Sequence, residues 1–268
     1  MNRVTRCRLA SLFLLSLILL CSPWVQAKDL RHTIDLSGTW NFILDPQDKG
    51  IQDKFWNIDL PEKVTLPGTT DTNRKGTENT NKSETTYLSR YYKYEGAAWY
   101  SKIIEIPVGW KGKHIVLFLE RTRPSTVWID GQEVGKNNYL STSQEYDLTH
   151  FLTPGSHKLT IRIDNGKSIP QQIRSSSHAC TESTQTNWNG IIGRIELQAM
   201  NPLFIESIQT FPSVADRSVK VKITLSKASG IDGKQIRLSA AAFNSPGKHK
   251  VKVAEYVLKE GCKEYEFV

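Results

Sequence analysis

Apolar and polar positions along this chain recur with a period of two. In Ala98-Trp99-Tyr100-Ser101-Lys102-Ile103-Ile104-Glu105-Ile106 the alternation is imperfect, as in a strand with one face largely buried. His114 to Glu120 is nearly continuous apolar, which suits a central strand covered on both faces. Thr126-Val127-Trp128-Ile129 runs into Asp130-Gly131, a type I′ hairpin signal. Lys158 to Asp164 alternates cleanly, just after a Pro154-Gly155 turn. Beyond the first residues no segment sustains a period of 3.6. Short strands punctuated by Gly, Pro, Asn and Asp predict an all-β antiparallel sandwich.

Two stretches break this rhythm. Pro67 to Ser89 carries almost no apolar side chains, and a polar loop of that length inside a domain is usually functional or mobile. It is expected to cover one end of the sandwich. After Asn201-Pro202 the strand pattern restarts in Leu203-Phe204-Ile205, Val219 to Leu225, Ile236-Arg237-Leu238 and Val251-Lys252-Val253. That spacing predicts an immunoglobulin-like sandwich, which takes about 100 residues. Residues 201–268 fall short of that and end on the strand-like Tyr265-Glu266-Phe267-Val268, so the second domain is expected to be incomplete.

The first 27 residues are expected to lie outside the fold. Arg3, Arg6 and Arg8 precede an apolar run from Leu9 to Leu20, and Val25-Gln26-Ala27 presents small residues at −3 and −1. This is a signal-peptide pattern, with the run too short for a spanning helix of ~20 residues. The chain is therefore expected to be exported, periplasmic or secreted, and to have no membrane span. Removing the three leader arginines takes the net charge from +8 to +5. The remaining charges form no basic stripe, so no nucleic-acid partner is expected. Cys7 and Cys21 leave with the leader; Cys180 and Cys262 are read as isolated thiols. His178-x-Cys180 is no metal site by itself, since structural zinc takes about four ligands. No cofactor or metal is expected.

A set of motifs in fixed order adds a family to this picture. These are Leu36-Ser37-Gly38-Thr39-Trp40-Asn41-Phe42, Leu66-Pro67-Gly68-Thr69-Thr70 and Gly96-Ala97-Ala98-Trp99-Tyr100, followed by Val127 to Gly131, Leu152-Thr153-Pro154-Gly155 and Ile163-Asp164-Asn165. The last is Gly190-Ile191-Ile192-Gly193-Arg194. Their order resembles the amino-terminal half of glycoside hydrolase family 2, the β-galactosidases, β-glucuronidases and β-mannosidases. One departure is visible: many members have Gly-Ile-aromatic-Arg, whereas here Ile192-Gly193 precedes Arg194.

The resemblance implies a jelly-roll (galactose-binding-like) sugar-binding domain over residues 28–200, an immunoglobulin-like sandwich over 201–268, and then a (β/α)₈ barrel. That barrel would hold two glutamates about 5–5.5 Å apart for retaining hydrolysis. A barrel takes ~250 residues, so none fits within 201–268. No catalytic residue of the family has a position here, and the chain is expected to be inactive alone. Its expected partners are a β-linked carbohydrate and the absent barrel.

Sugar contact is assigned by the same resemblance to Asn187, Trp188 and Asn189, because an aromatic ring and flanking amides suit a sugar's apolar face and its hydroxyls. The opposing reading has Trp188 packing under the loop and the asparagines capping turns. Asp164 and Asn165 could reach the same edge or form an Asx turn before Gly166. Trp40, Trp99 and Trp128 read as core, and the Arg90-Tyr91-Tyr92-Tyr94 cluster as packing. The function expected is the non-catalytic sugar-binding portion of an exported retaining β-glycosidase. The alternative is a stand-alone carbohydrate-binding module, which would need an exposed platform.

Overall fold

In the computed structural model, residues 31–81, 83, 88–239 and 253–268 are described. The leader, residues 84–87 of the polar loop and the expected strand at Val251-Lys252 lie outside them. The chain is all-β. Its first strands are β1 (His32–Asp35), β2 (Gly38–Asp45), β3 (Glu62–Leu66), β4 (Gly68–Thr69), β5 (Thr77–Glu78) and β6 (Tyr92–Lys93). There follow β7 (Ala97–Ile106), β8 (His114–Thr122), β9 (Ser125–Ile129), β10 (Gln132–Asn137), β11 (Gln144–Asp147), β12 (Gly155–Asp164) and β13 (Gly190–Met200). One sheet has the order β1-β13-β8-β11, with β4 also paired to β13; the other has β10-β9-β12-β7-β2-β3. This is a jelly-roll sandwich of two antiparallel sheets.

The predicted alternation places Trp40, Phe42, Ala98, Tyr100, Leu159 and Ile161 between the sheets against Leu117, Leu119, Ile195 and Leu197. The outer face of the larger sheet is covered as well. Trp99 and Trp128 are buried there beneath Phe55 and Trp56, and the rings of Trp56 and Trp128 stack 5.0 Å apart. All three strand tryptophans are therefore core. The clean alternation of β12 does not mark a solvent face. Thr160 and Arg162, the polar positions, are buried too, and Arg162 pairs with Asp48 (2.6 Å) from the segment after β2. Cover supplied by a segment remote in sequence leaves no trace in the strand's own period.

The polar loop after Pro67 is partly structured. Gly68 and Thr69 pair with Ile191 and Gly190, and β5 pairs with β6. A short helix, α1 (Gln171–Ser176), was not predicted, because six residues are too few to show a helical period.

The Asp130-Gly131 turn has positive φ at both residues (48° and 84°), the type I′ signature. Asp130 Oδ2 lies 2.6 Å from His157 Nδ1, while His157 Nε2 meets Thr153 O at 2.8 Å. Partial burial alone would lower the His157 pKa, but the carboxylate and the carbonyl outweigh it and raise it above 6.5. A raised folded-state pKa stabilises the fold fully below pH 6.5, and that contribution disappears as pH climbs through the higher value. Chemical denaturation at stepped pH should therefore show stability falling by up to ~1 kcal/mol above pH 6.5, since Asp130 is half exposed. In His157→Gln that slope should vanish.

Past Met200 lie β14 (Ile205–Ser213), β15 (Ser218–Leu225), β16 (Gln235–Leu238), β17 (Ala254–Val257) and β18 (Glu264–Phe267). A β14-β15-β18 sheet and a β16-β17 pair close over a second core of Ile223, Leu225, Ile231, Ile236, Leu258 and Phe267. At the junction Lys113 Nζ donates to Asn201 Oδ1 (2.6 Å), and His114 stacks on Phe204. Cys180 and Cys262 are free thiols.

Candidate functional site

The five predicted site residues come together at one end of the first sandwich, where β12 ends and β13 begins. Asp164 closes β12 and Asn165 follows it; Asn187, Trp188 and Asn189 lead into Gly190, the first residue of β13. Gly190 has φ of 140°, and a Cβ there would run into Gly68 O on β4. Only glycine allows that approach. It carries the loop across β4, where Thr70 N donates to Asn189 O at 2.8 Å.

All five are buried, and their polar groups are directed inward. Asn189 is fully inaccessible: its Nδ2 donates to Gly96 O and Ile163 O, both at 3.0 Å, and its Oδ1 accepts from Tyr100 Oη at 2.9 Å. Asn165 Oδ1 accepts from Gly96 N (2.9 Å), while its Nδ2 donates to Tyr94 O (2.9 Å) and Asn187 O (2.7 Å). Asn187 Nδ2 donates to Asn165 O at 2.8 Å, but Asn187 Oδ1 is buried with no hydrogen-bond partner. Asp164 accepts from Gly166 N, from Ser168 N and Oγ, and from Arg162. Its burial raises its pKa, yet those hydrogen bonds and Arg162 hold it below 3.8. The Asx turn expected at Asp164-Asn165-Gly166 is therefore present, and it continues into a wider network.

Two buried arginines clamp the loop from beneath. Arg123 donates Nε to Trp188 O (3.0 Å), Nη1 to Ala179 O (2.7 Å) and Nη2 to Thr186 O (3.1 Å). Its guanidinium lies 4.2 Å from the centre of the Trp188 ring. Burial draws the Arg123 pKa down to about 10, so it stays charged at neutral pH. Arg90 donates to Tyr94 O, Asn187 O and Glu182. Glu182 thus pairs with Arg90. Arg123 had no sequence signal: Glu120-Arg121-Thr122-Arg123-Pro124 reads as a polar strand end. Of the aromatic-basic cluster, Arg90 and Tyr94 are buried and Tyr91 is exposed.

The departure at Ile192-Gly193 has a local cause. The β13–β8 register shifts between Ile192 and Ile195, forming a bulge with Gly193 at φ 75°. A Cβ there would come within 2.6 Å of Glu120 Cδ, and the same Glu120 accepts Arg194 N and Nε, each at 3.0 Å. Arg194 lies over the Phe118 ring, covering the outer face of β8.

The first sandwich is thus a two-sheet jelly roll with one end closed by a buried amide–arginine network. Residues 34–197 match the family model described as glycosyl hydrolases family 2, sugar binding domain. That is more than half of the chain, which therefore belongs to glycoside hydrolase family 2. It is 26% identical over 137 residues to a β-glucuronidase of Paenibacillus borealis, a match covering 50% of this chain and 21% of that protein. Its fold is similar to that of an uncultured Clostridium sp. β-glucuronidase (TM-score 0.60, 18% identity, 87% of this chain and 40% of that one). It is also similar to a Ruminococcus gnavus β-glucuronidase in complex with D-glucaro-δ-lactam (TM-score 0.59, 17% identity, 89% and 39%). The chain thus spans about a fifth of that curated relative and about two fifths of those solved structures. Among the described residues, no helix is long and apolar enough to cross a membrane, and no cluster of His, Cys, Asp and Glu could hold a metal ion.

Proposed function

We propose that this chain is the non-catalytic, sugar-binding portion of an exported retaining β-glycosidase of the β-glucuronidase kind. In this reading residues 28–200 are the sugar-binding unit, 201–268 a second sandwich, and the reacting glutamates belong to a barrel outside this sequence. The observation that carries the proposal is the rigid end of the first sandwich, where two buried arginines and three buried amides fix one loop. A preorganised edge loses little entropy when it meets a ligand or a neighbouring domain. Asn187, Trp188, Asn189, Asp164 and Asn165 act by shaping that edge.

The purified chain should leave 4-nitrophenyl β-D-glucuronide, β-D-galactoside and β-D-mannoside unhydrolysed above the buffer rate. Turnover that persists through repurification would overturn the proposal. Export is tested separately by the mass of the mature protein, expected to begin at Lys28 after cleavage of the 1–27 leader. An intact amino terminus on the recovered protein contradicts it.

A further inference from the structure

We propose that the cleft beside Tyr139 is a carbohydrate subsite that takes a single pyranose, with a preference for one bearing a carboxylate. The proposal rests on reading the chain as a sugar-binding portion, and it places direct contact away from the buried Trp188 loop. The cleft has a volume of about 420 Å³ and is walled by Ser125, Thr126, Lys136, Asn138, Tyr139 and Ser168. That volume lies within the ~300–1,000 Å³ range of small-molecule sites.

An aromatic ring for the apolar face of a sugar must be both exposed and fixed. Trp188 is 8% exposed, whereas Tyr139 is 59% exposed. Tyr139 is also held in place from its backbone. Gln144, fully buried, donates Nε2 to Tyr139 O (2.8 Å) and to Arg123 O (3.1 Å). Gln144 Oε1 in turn accepts from Ser125 Oγ at 2.5 Å. Tyr146 Oη donates to Ser125 O (3.0 Å), and burial pushes its pKa up to about 12, so it remains a neutral hydroxyl. Tyr139 N is tied to Asn137 Oδ1 at 2.9 Å, an Asx turn. The residue that clamps the Trp188 loop through its guanidinium therefore also anchors the Tyr139 loop through its carbonyl.

The walls supply the polar half of a sugar site. Ser168 Oγ is fixed by Asp164 Oδ2 (2.7 Å). Asn138 is exposed at the rim, and Lys136 Nζ stands 3.5 Å from Glu133 on a mostly exposed side chain. Amides and a hydroxyl suit the hydroxyls of a pyranose, and Lys136 is the cation to meet a carboxylate. An exposed ring on an anchored backbone beside these donors is the combination that the buried loop was expected to provide.

The test is a titration of the ¹⁵N-labelled purified chain with methyl β-D-glucuronide and methyl β-D-glucoside. Both sugars should shift the Tyr139 amide and the Asn137 and Asn138 side-chain amides. At low ionic strength the glucuronide should bind about threefold more tightly, a preference that Lys136→Gln abolishes. Tyr139→Ala should weaken both sugars by about fivefold. Asn138→Ala, also at an exposed position, gives a second loss of affinity free of any folding defect. Shifts confined to Asp164, Asn165 and residues 186–189, or affinities unchanged in Tyr139→Ala, would overturn this subsite while leaving the sugar-binding reading standing. No shift with either sugar would overturn both.

Discussion

Arg123→Ala is expected to destabilise the chain by about 4 kcal/mol and to lower Tm by roughly 10 °C. The side chain is fully buried and donates to three carbonyls of the 179–188 segment. Hydrogen bonds from a charged donor contribute about 1.5–3 kcal/mol each and do not add fully. Truncation leaves those carbonyls without their donor inside the protein and removes the cation from the Trp188 ring. For a domain of this size each kcal/mol corresponds to about 2–4 °C. Arg123→Lys should recover less than half of the loss, because one ammonium cannot span acceptors matched to a planar fork. Urea unfolding followed by Trp fluorescence measures both variants. A loss below ~1 kcal/mol for Arg123→Ala would show that the loop does not depend on the clamp.

Asn189→Ala should have the next largest effect, about 2–4 kcal/mol. It leaves Gly96 O, Ile163 O and Tyr100 Oη without their Asn189 partners in a site closed to water. Asn189→Asp, although nearly isosteric, should be at least as damaging, because a carboxylate would face two carbonyl oxygens where an amide donates. Tyr100→Phe removes only one partner and should cost about 1 kcal/mol. The Asn189→Ala/Tyr100→Phe double variant should then lose less than the sum of the two, as expected for groups sharing one hydrogen bond. Strict additivity would place Tyr100 outside the network.

The strands were legible because apolar runs, alternating in β7 and β12 and nearly continuous in β8, mark buried strands, and β7, β8, β9 and β12 fall where those runs place them. The Asp130-Gly131 turn was legible for the same local reason, since its residue types match the positive φ values it requires. What a strand's outer face meets was not legible. Arg162 alternates like a solvent residue and is buried against Asp48, which lies more than a hundred positions earlier. Asn187-Trp188-Asn189 displays amides and a ring in sequence, but an amide satisfies a sugar hydroxyl and a backbone carbonyl equally well. Its direction is decided by Gly96, Tyr100, Arg90 and Arg123, which reach it from other strands and loops. Arg123 in particular looked like one more charge at a strand end. The ordered motifs carried the family because each sits at a turn or strand end that the jelly roll needs, whatever the side chains between them do.

The amides of this loop are turned inward and hold the sandwich end as one rigid body. Hydrogen exchange of the Asn165 and Asn189 side-chain amides and of the Thr70 backbone amide, followed by NMR on the purified chain, tests it most directly. Thr70 N donates to Asn189 O, and both asparagine amides donate to buried carbonyls. Exchange for all three as slow as that of the β7–β12 core amides is the expected result. Exchange at the rate of an exposed loop, with the core still protected, would contradict it.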